Sequence, residues 1–282
     1  MDPLAFDSLL ACSVRGCGAP LGRVEMRLVC PRGHAFDLAR SGYVNLLQPQ
    51  DRRSLAAGDE RGELAARARL WAAGAGEALL AELARCIGEL GLRAGARAVE
   101  LGCGTGEMLA ALAETHGLAA VGIDLASAAA EHAARRFPGL TWVVANADRR
   151  LPLLDGSVEL VLVIHGRRNP VESARVLRPG GFLVAALPAA DDLVELRALV
   201  QGKGVARERA AGFLAEHEPF FELRARSVAR ARRRLARPGL LDLLSGTYRG
   251  ERRGLAAAVG RLSELEVTLA SEVLVLARRS EP

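Results

Sequence analysis

From about residue 96 the chain repeats one unit: a short apolar, β-prone run, a turn marked by glycine or an acid, then a stretch with helical spacing. Residues 96–100 read as a first strand and Glu107–His116 as the helix after it. Residues 119–123 read as a second strand ended by Asp124, with Ser127–Arg136 as its helix. Thr141–Val144 and Val158–Ile164 read as strands three and four. A helix near 171–176 and a turn at 178–181 lead into strand five at 182–186. This alternation predicts an α/β fold, a doubly wound parallel sheet with right-handed crossovers. Beyond residue 188 the pattern thins to helical stretches and two β-like runs, 223–230 and 271–277. Upstream, Leu64, Leu70, Leu79, Leu80 and Leu83 carry a helical rhythm, with Asp59 placed to cap it. The first fifty residues are punctuated by Cys, Gly and Pro and mark a small module that needs a staple. The predicted division is a module over 1–50, a helical linker over 51–95 and the α/β domain over 96–282.

Composition agrees with this division. At 282 residues, half apolar and a quarter charged, the chain is long enough for one sizeable core and an accessory module. No apolar stretch reaches the length of a membrane span. The start carries Asp2 and Asp7 without a basic region, so it does not read as a signal peptide. The net charge of +5 is almost all arginine, since Lys203 is the only lysine; it permits a polyanionic partner without requiring one. The densest basic run is 224–237, with pairs at Arg52 and Arg53, Arg149 and Arg150, and Arg167 and Arg168.

Cysteine placement changes the picture more. Three of the five cysteines fall in the first thirty residues, an odd and clustered set that argues for metal rather than disulfides, in a reducing cytoplasm. Cys12, Cys17, Cys30 and His34 follow one another at x4, x12 and x3 spacing. Three thiolates and an imidazole so arranged can close a tetrahedral zinc site, and closed sites serve folding rather than catalysis. Cys86 and Cys103 are remote and read as packing residues.

The loop Glu100-Leu-Gly-Cys-Gly-Thr-Gly106 joins the first predicted strand to its helix. Gly102, Gly104 and Gly106 let the backbone approach a ligand with no Cβ in the way. Asp124, at the end of the next strand, is placed to hold two ribose hydroxyls. Glu100 offers a carboxylate where a pyrophosphate site would need donors, which suits a cationic methionine group. Loop and acid together point to S-adenosylmethionine.

At these residues the chain resembles the class I methyltransferases, through 99–106, Asp124, 146–148, 151–156 and 177–181. The resemblance implies a Rossmann-like sheet, Glu100 and the glycines facing the methionine end, Asp124 on the ribose, and Asn146, Ala147 and Asp148 at the adenine edge. Cys30-Pro-Arg-Gly-His-Ala-Phe-Asp37, Gly42-Tyr-Val-Asn-Leu-Leu47 and Gly58-Asp59 are similar to the zinc-containing guanine-N1 methyltransferases of 23S ribosomal RNA. Arg168-Asn-Pro170 and Glu266-Val-Thr-Leu269 resemble the macrolide-resistance branch of that family. Two departures stand out. The first cysteine pair is spaced by four residues where two is usual, and Ala75-Gly76 replaces a His-Tyr pair.

The resemblance implies a cytoplasmic enzyme whose partner is 23S ribosomal RNA, with a homodimer as the protein assembly to consider and no membrane partner. Guanine N1 carries a proton that must leave as the methyl arrives. Candidates lie in 164–170: His165 to accept the proton, Arg168 or Asn169 to bond the base edge or O6. Tyr43 and Phe36 are candidates for stacking on a splayed base. Two other readings stay open: a small-molecule methyltransferase, which needs no zinc module, and a zinc-dependent RNA-binding protein without catalysis.

Overall fold

The computed structural model describes residues 9–51, 61–201, 208–247 and 259–280. Arg52, Arg53, Gly58, Asp59 and Lys203 lie outside the described residues.

Three short strands, β1 (Gly22–Val24), β2 (Arg27–Val29) and β3 (Ala35–Asp37), form an antiparallel sheet of their own. After them, β4 (Val44–Asn45) crosses to the main sheet. Two helices, α1 (Arg61–Ala72) and α2 (Glu77–Gly88), precede the alternating part. That part runs β5 (Arg97–Leu101), α3 (Glu107–His116), β6 (Ala119–Asp124), α4 (Ser127–Arg136), β7 (Thr141–Val144), β8 (Val158–Ile164), α5 (Pro170–Val176) and β9 (Leu177–Pro188). The chain then adds α6 (Val194–Gln201), α7 (Ala210–His217), β10 (Phe221–Ala236), α8 (Arg237–Thr247) and β11 (Glu264–Arg278).

The main sheet has eight strands in the order β10-β11-β9-β8-β5-β6-β7-β4. From β9 to β4 all pairings are parallel, whereas β11 lies antiparallel to both β9 and β10. The connections reverse direction between β5 and β8, so a crevice opens at the C-terminal ends of those two strands. The glycine loop leaves β5 there. The strands are apolar on both faces because both faces are covered. Ala98, Ala120, Leu160 and Leu162 pack under α2, α3 and α4. On the other face Val99, Leu101, Val121 and Ile123 share one core with Leu9, Leu10, Cys12, Leu21, Leu28 and Cys30 of the N-terminal module, and with Phe213 of α7. The module therefore stands where a covering layer of helix would otherwise be.

Three features exceed what the hydrophobic pattern predicts. The turn at 178–181 is absorbed into a β9 that starts at Leu177, with a register shift opposite Val158 and Leu160. The two late β-like runs are one long antiparallel ladder, from Phe221 opposite Arg278 to Ala236 opposite Glu264. The basic run 224–237 lies largely on its edge strand, and its alternate arginines meet carboxylates. Arg224 pairs with Glu222, Arg226 with Glu272 and Glu208, Arg230 with Asp191, Arg232 with Glu266 and Arg234 with Glu264. Exposed pairs contribute about 0–1 kcal/mol each, but they offset the charge of the run and discourage strand addition at the edge.

Candidate metal centre and cofactor crevice

Cys12 lies on a segment bonded to both parts of the molecule. The Ala11 N–H donates to the Pro152 carbonyl at 2.9 Å and the Leu154 N–H to that of Leu9 at 3.0 Å, while the Cys12 N–H donates to Ala19 at 2.8 Å. A turn from Cys30 to His34 presents the other side of the cluster, with the Cys30 N–H on the His34 carbonyl at 3.0 Å. The ligand atoms of Cys12, Cys17, Cys30 and His34 all fall within 4.8 Å of one another. His34 Nδ1 stands 3.4 Å from the sulfurs of both Cys12 and Cys30, and the sulfurs of Cys17 and Cys30 are 3.9 Å apart. Zinc bonds of about 2.3 Å to sulfur and 2.0–2.1 Å to nitrogen put the corners of a tetrahedron about 3.6–3.8 Å apart, so the four atoms fit that ion. Burial, then the neighbouring thiols of Cys17 and Cys30, push the Cys12 thiol up to about 12 in the absence of a cation. A bound zinc removes that cost by replacing the protons.

The glycine loop turns back on the end of β6. Gly102 and Cys103 both donate from their backbone to the Ile123 carbonyl. The Asp124 carboxylate is gripped at both oxygens: Gly104 N–H donates to Oδ2 at 2.9 Å and Ala126 N–H to Oδ1 at 2.8 Å. The predicted ribose ligand thus also fixes the loop, and each oxygen has acceptor capacity beyond the one bond it takes from the backbone. Glu100 is buried, and its Oε2 has no hydrogen-bond partner. Burial first, then the charges of Asp124 and Glu107, raise its carboxyl well above the usual range. A buried carboxylate with an orphaned oxygen, preceding the glycine loop, fits a group that brings its own ammonium.

Asn146, predicted at the adenine edge, is buried and organises the turn. Its Nδ2 donates to the Asp51 carbonyl at 2.7 Å and its Oδ1 accepts from Asp148 N–H at 2.9 Å. Asn169 caps α5 by accepting from Glu172 N–H, and its amide donates to the carbonyls of Ala147 and Arg149. Both amide hydrogens are therefore committed to the turn at 147–149. Arg168 is paired with Glu216 at 3.0 Å, and Arg167 lies 3.9 Å from Asp148.

His165 follows β8 in a left-handed conformation, φ 51°, which only a locked environment sustains in a non-glycine residue. Its N–H donates to the Ala186 carbonyl, and ring Nε2 lies 2.9 Å from Ser271 Oγ of β11. The residue reaches the surface, while its ring is crowded by the chain around it. That crowding, then the guanidiniums of Arg209 and Arg67, lowers its pKa to about 4, so the imidazole is neutral at pH 7. Gly166 next to it touches the Leu101 carbonyl so closely that a Cβ has no room, which holds this segment against the glycine loop. Tyr43 and Phe36 are half-buried and packed against the two cores, with only part of each surface open to a base.

Sequence reasoning missed four residues that shape the site. Arg67 of α1 lies over the glycine loop, and Ser271 arrives from the last strand. Arg175 holds the carbonyls of Leu151 and Leu153 together with Glu172 and Asp155, fixing the segment to which Leu9–Ala11 is bonded. Trp142 lies beneath the loop. None carries a local motif; a lone arginine on a weakly patterned helix gives no signal until the fold places it.

Comparison with known proteins covers both halves. A family profile described as "RlmA, N-terminal" matches residues 11–55 and one described as "Methyltransferase domain" matches 98–181. The chain is 40% identical over 214 residues to a 23S rRNA (guanine(748)-N(1))-methyltransferase of Streptomyces fradiae, covering 73% of each chain. It is 34% identical over 282 residues to a Micromonospora griseorubida protein assigned to the 23S rRNA (guanine-N(1)-)-methyltransferases, covering 90% of this chain and 92% of that one. A demethylmenaquinone methyltransferase of Beutenbergia cavernae is 40% identical over 104 residues, covering 34% of this chain and 42% of that one.

Proposed function

Because this chain belongs to the family of 23S rRNA (guanine-N1) methyltransferases, we propose that it methylates N1 of a guanine in 23S ribosomal RNA with S-adenosylmethionine as donor. The observation that carries this reading is the shared core. A candidate four-ligand zinc cluster and the strands that carry the glycine loop share one hydrophobic core, and a relative matching over 90% of this chain carries that activity in its name. The small-molecule methyltransferase matched is similar over about a third of the chain, so that likeness leaves the zinc module unexplained.

When bound, S-adenosylmethionine supplies an electrophilic methyl and a neutral sulfide leaving group. What the chain supplies is position. Asp124 holds the ribose, Glu100 the ammonium, and the turn Asn146, Ala147 and Asp148 the adenine edge. Glycines 102, 104 and 106 keep the loop close. As guanine N1 bonds to the methyl carbon, its proton must leave. His165, neutral at pH 7, takes that proton, and Arg168 steadies the growing charge at O6. Asn169 acts through the turn it ties down. Zinc held by Cys12, Cys17, Cys30 and His34 keeps the module folded against the sheet. We keep the division into module 1–50, linker 51–95 and methyltransferase domain 96–282, with RNA meeting the first and last, and place the reaction in the cytoplasm, where ribosomes are. No helix among the described residues is long and apolar enough to cross a membrane.

The test is methyl transfer from tritiated S-adenosylmethionine to 23S rRNA transcripts, followed by primer extension. N1 methylation blocks the pairing edge of guanine, so reverse transcriptase must stop at one position. Label reaching a metabolite extract but not RNA would replace this reading by the small-molecule one.

A further inference from the structure

The donor proposed above ends in an α-amino acid, an ammonium and a carboxylate on one carbon. Glu100 with its orphaned oxygen accounts for the ammonium. A crevice that recognises the whole zwitterion needs a cation for the carboxylate, and α1 carries one to the right place. A Cβ on Gly104 would stand 3.6 Å from Nη1 of Arg67, so the guanidinium lies directly over the glycine loop. Its Nη2 donates to the Gly246 carbonyl in α8 at 3.2 Å, and Gly246 leaves it room: a Cβ there would come 3.3 Å from Arg67 Cγ. Burial raises the Asp124 carboxyl and lowers the His165 imidazole; the same guanidinium opposes the first shift and adds to the second. One permanent cation therefore overlooks the loop, the ribose carboxylate and the segment after β8.

We propose that Arg67 binds the α-carboxylate of the cofactor, so that Arg67 and Glu100 together read its amino-acid end. The inference rests on the S-adenosylmethionine reading. A guanidinium suits the task because its planar fork of donors matches a carboxylate and stays charged at any working pH. The contact also has a mechanical consequence. Arg67 already joins α1 to α8 through Gly246, and its neighbour Arg69 grips Asp242 of α8 with two bonds of 2.9 and 2.6 Å. A carboxylate on Arg67 thus pins the α1–α8 pair over the crevice. S-adenosylhomocysteine keeps the carboxylate, so product is held by the same contact.

Calorimetry on the zinc-loaded full chain, with S-adenosylmethionine and with decarboxylated S-adenosylmethionine, tests this. The second ligand keeps the sulfonium, nucleoside and amine and lacks only the carboxylate. Arg67→Ala should weaken S-adenosylmethionine by about 10- to 100-fold, the scale of one charge-assisted pair, and leave the decarboxylated ligand within about twofold. Arg67→Lys should recover part of the loss, and Glu100→Gln should weaken both ligands alike. Equal losses for both ligands in Arg67→Ala would show that Arg67 only shapes the loop, and no loss for either would remove it from the site; both overturn the inference. If the unsubstituted protein bound neither ligand, the cofactor reading itself would fall, an outcome separate from those.

Discussion

Trp142 is packed so closely beneath Gly106 that a Cβ on the glycine would meet the indole Cη2 at 2.5 Å. The indole also abuts Gly122 and is itself fully buried, with Nε1 donating to the Phe137 carbonyl at 3.0 Å. The cofactor loop therefore rests on a rigid floor that two glycines on different elements make room for. Gly106 moreover holds φ at 83°. Gly106→Ala should destabilise the chain by about 1–3 kcal/mol through overpacking and backbone strain, seen in urea titrations. Adding Trp142→Phe, which removes the Cη2 edge, should return part of that loss; no recovery would mean the indole is not the obstacle.

One zinc per chain is expected by elemental analysis. Cys12 and Cys30 share a core with Val99 and Leu101 of β5, so stripping the metal should also disturb the cofactor crevice. Chelation should lower both the melting temperature and the affinity for S-adenosylmethionine. A metal-free protein with unchanged melting would refute the site.

Asp124→Asn keeps the shape but loses the charge and one of two backbone grips. Affinity for S-adenosylmethionine should drop by about 3 kcal/mol, on the order of 100-fold, since charged hydrogen bonds to both loop and ribose are weakened. Unchanged affinity in calorimetry would remove Asp124 from the ribose.

RNA affinity should fall steeply with salt as phosphate contacts release counterions. Arg167→Ala with Arg168→Ala should lower that slope by about 1 for each lost phosphate contact. Arg232→Ala with Arg234→Ala should leave the slope unchanged, because β10 is the edge strand, with β11, β9 and β8 between it and the β5 that leads into the glycine loop. The reverse ranking, read from filter binding at several salt concentrations, would move the RNA path to the β10 edge.

His165 has a folded pKa of about 4, below its ordinary value of about 6.5 in the unfolded chain. Between those values the unfolded state binds the extra proton, so this residue makes stability fall as the pH drops from 6.5 to 4. Above pH 6.5 it contributes no pH dependence. His165→Gln should therefore flatten the acid side of the stability curve, measured as urea midpoints; an unaltered curve would show that the imidazole is not held neutral.

The sequence by itself determined what is local. Helices Glu107–His116 and Ser127–Arg136 and strands Thr141–Val144 and Val158–Ile164 begin and end where the hydrophobic periodicity places them. That Cys12, Cys17, Cys30 and His34 would meet, and that the glycine loop would turn against Asp124, was also legible, because each depends on spacing within a few tens of residues. The tertiary structure decided the rest. No periodicity could reveal that Val44–Asn45 joins the sheet beside β7, or that the module fills a layer over Val99 and Ile123. Such pairings are fixed by which apolar faces remain uncovered once the sheet is assembled. Nor could the run 224–237 show its own neutralisation, since most of the acids that meet it come from across the ladder, at Glu264, Glu266 and Glu272, or from Asp191 and Glu208. Arg67, Trp142 and Ser271 reach the crevice from three distant parts of the chain, and a contact between residues far apart leaves no mark on the neighbours of either.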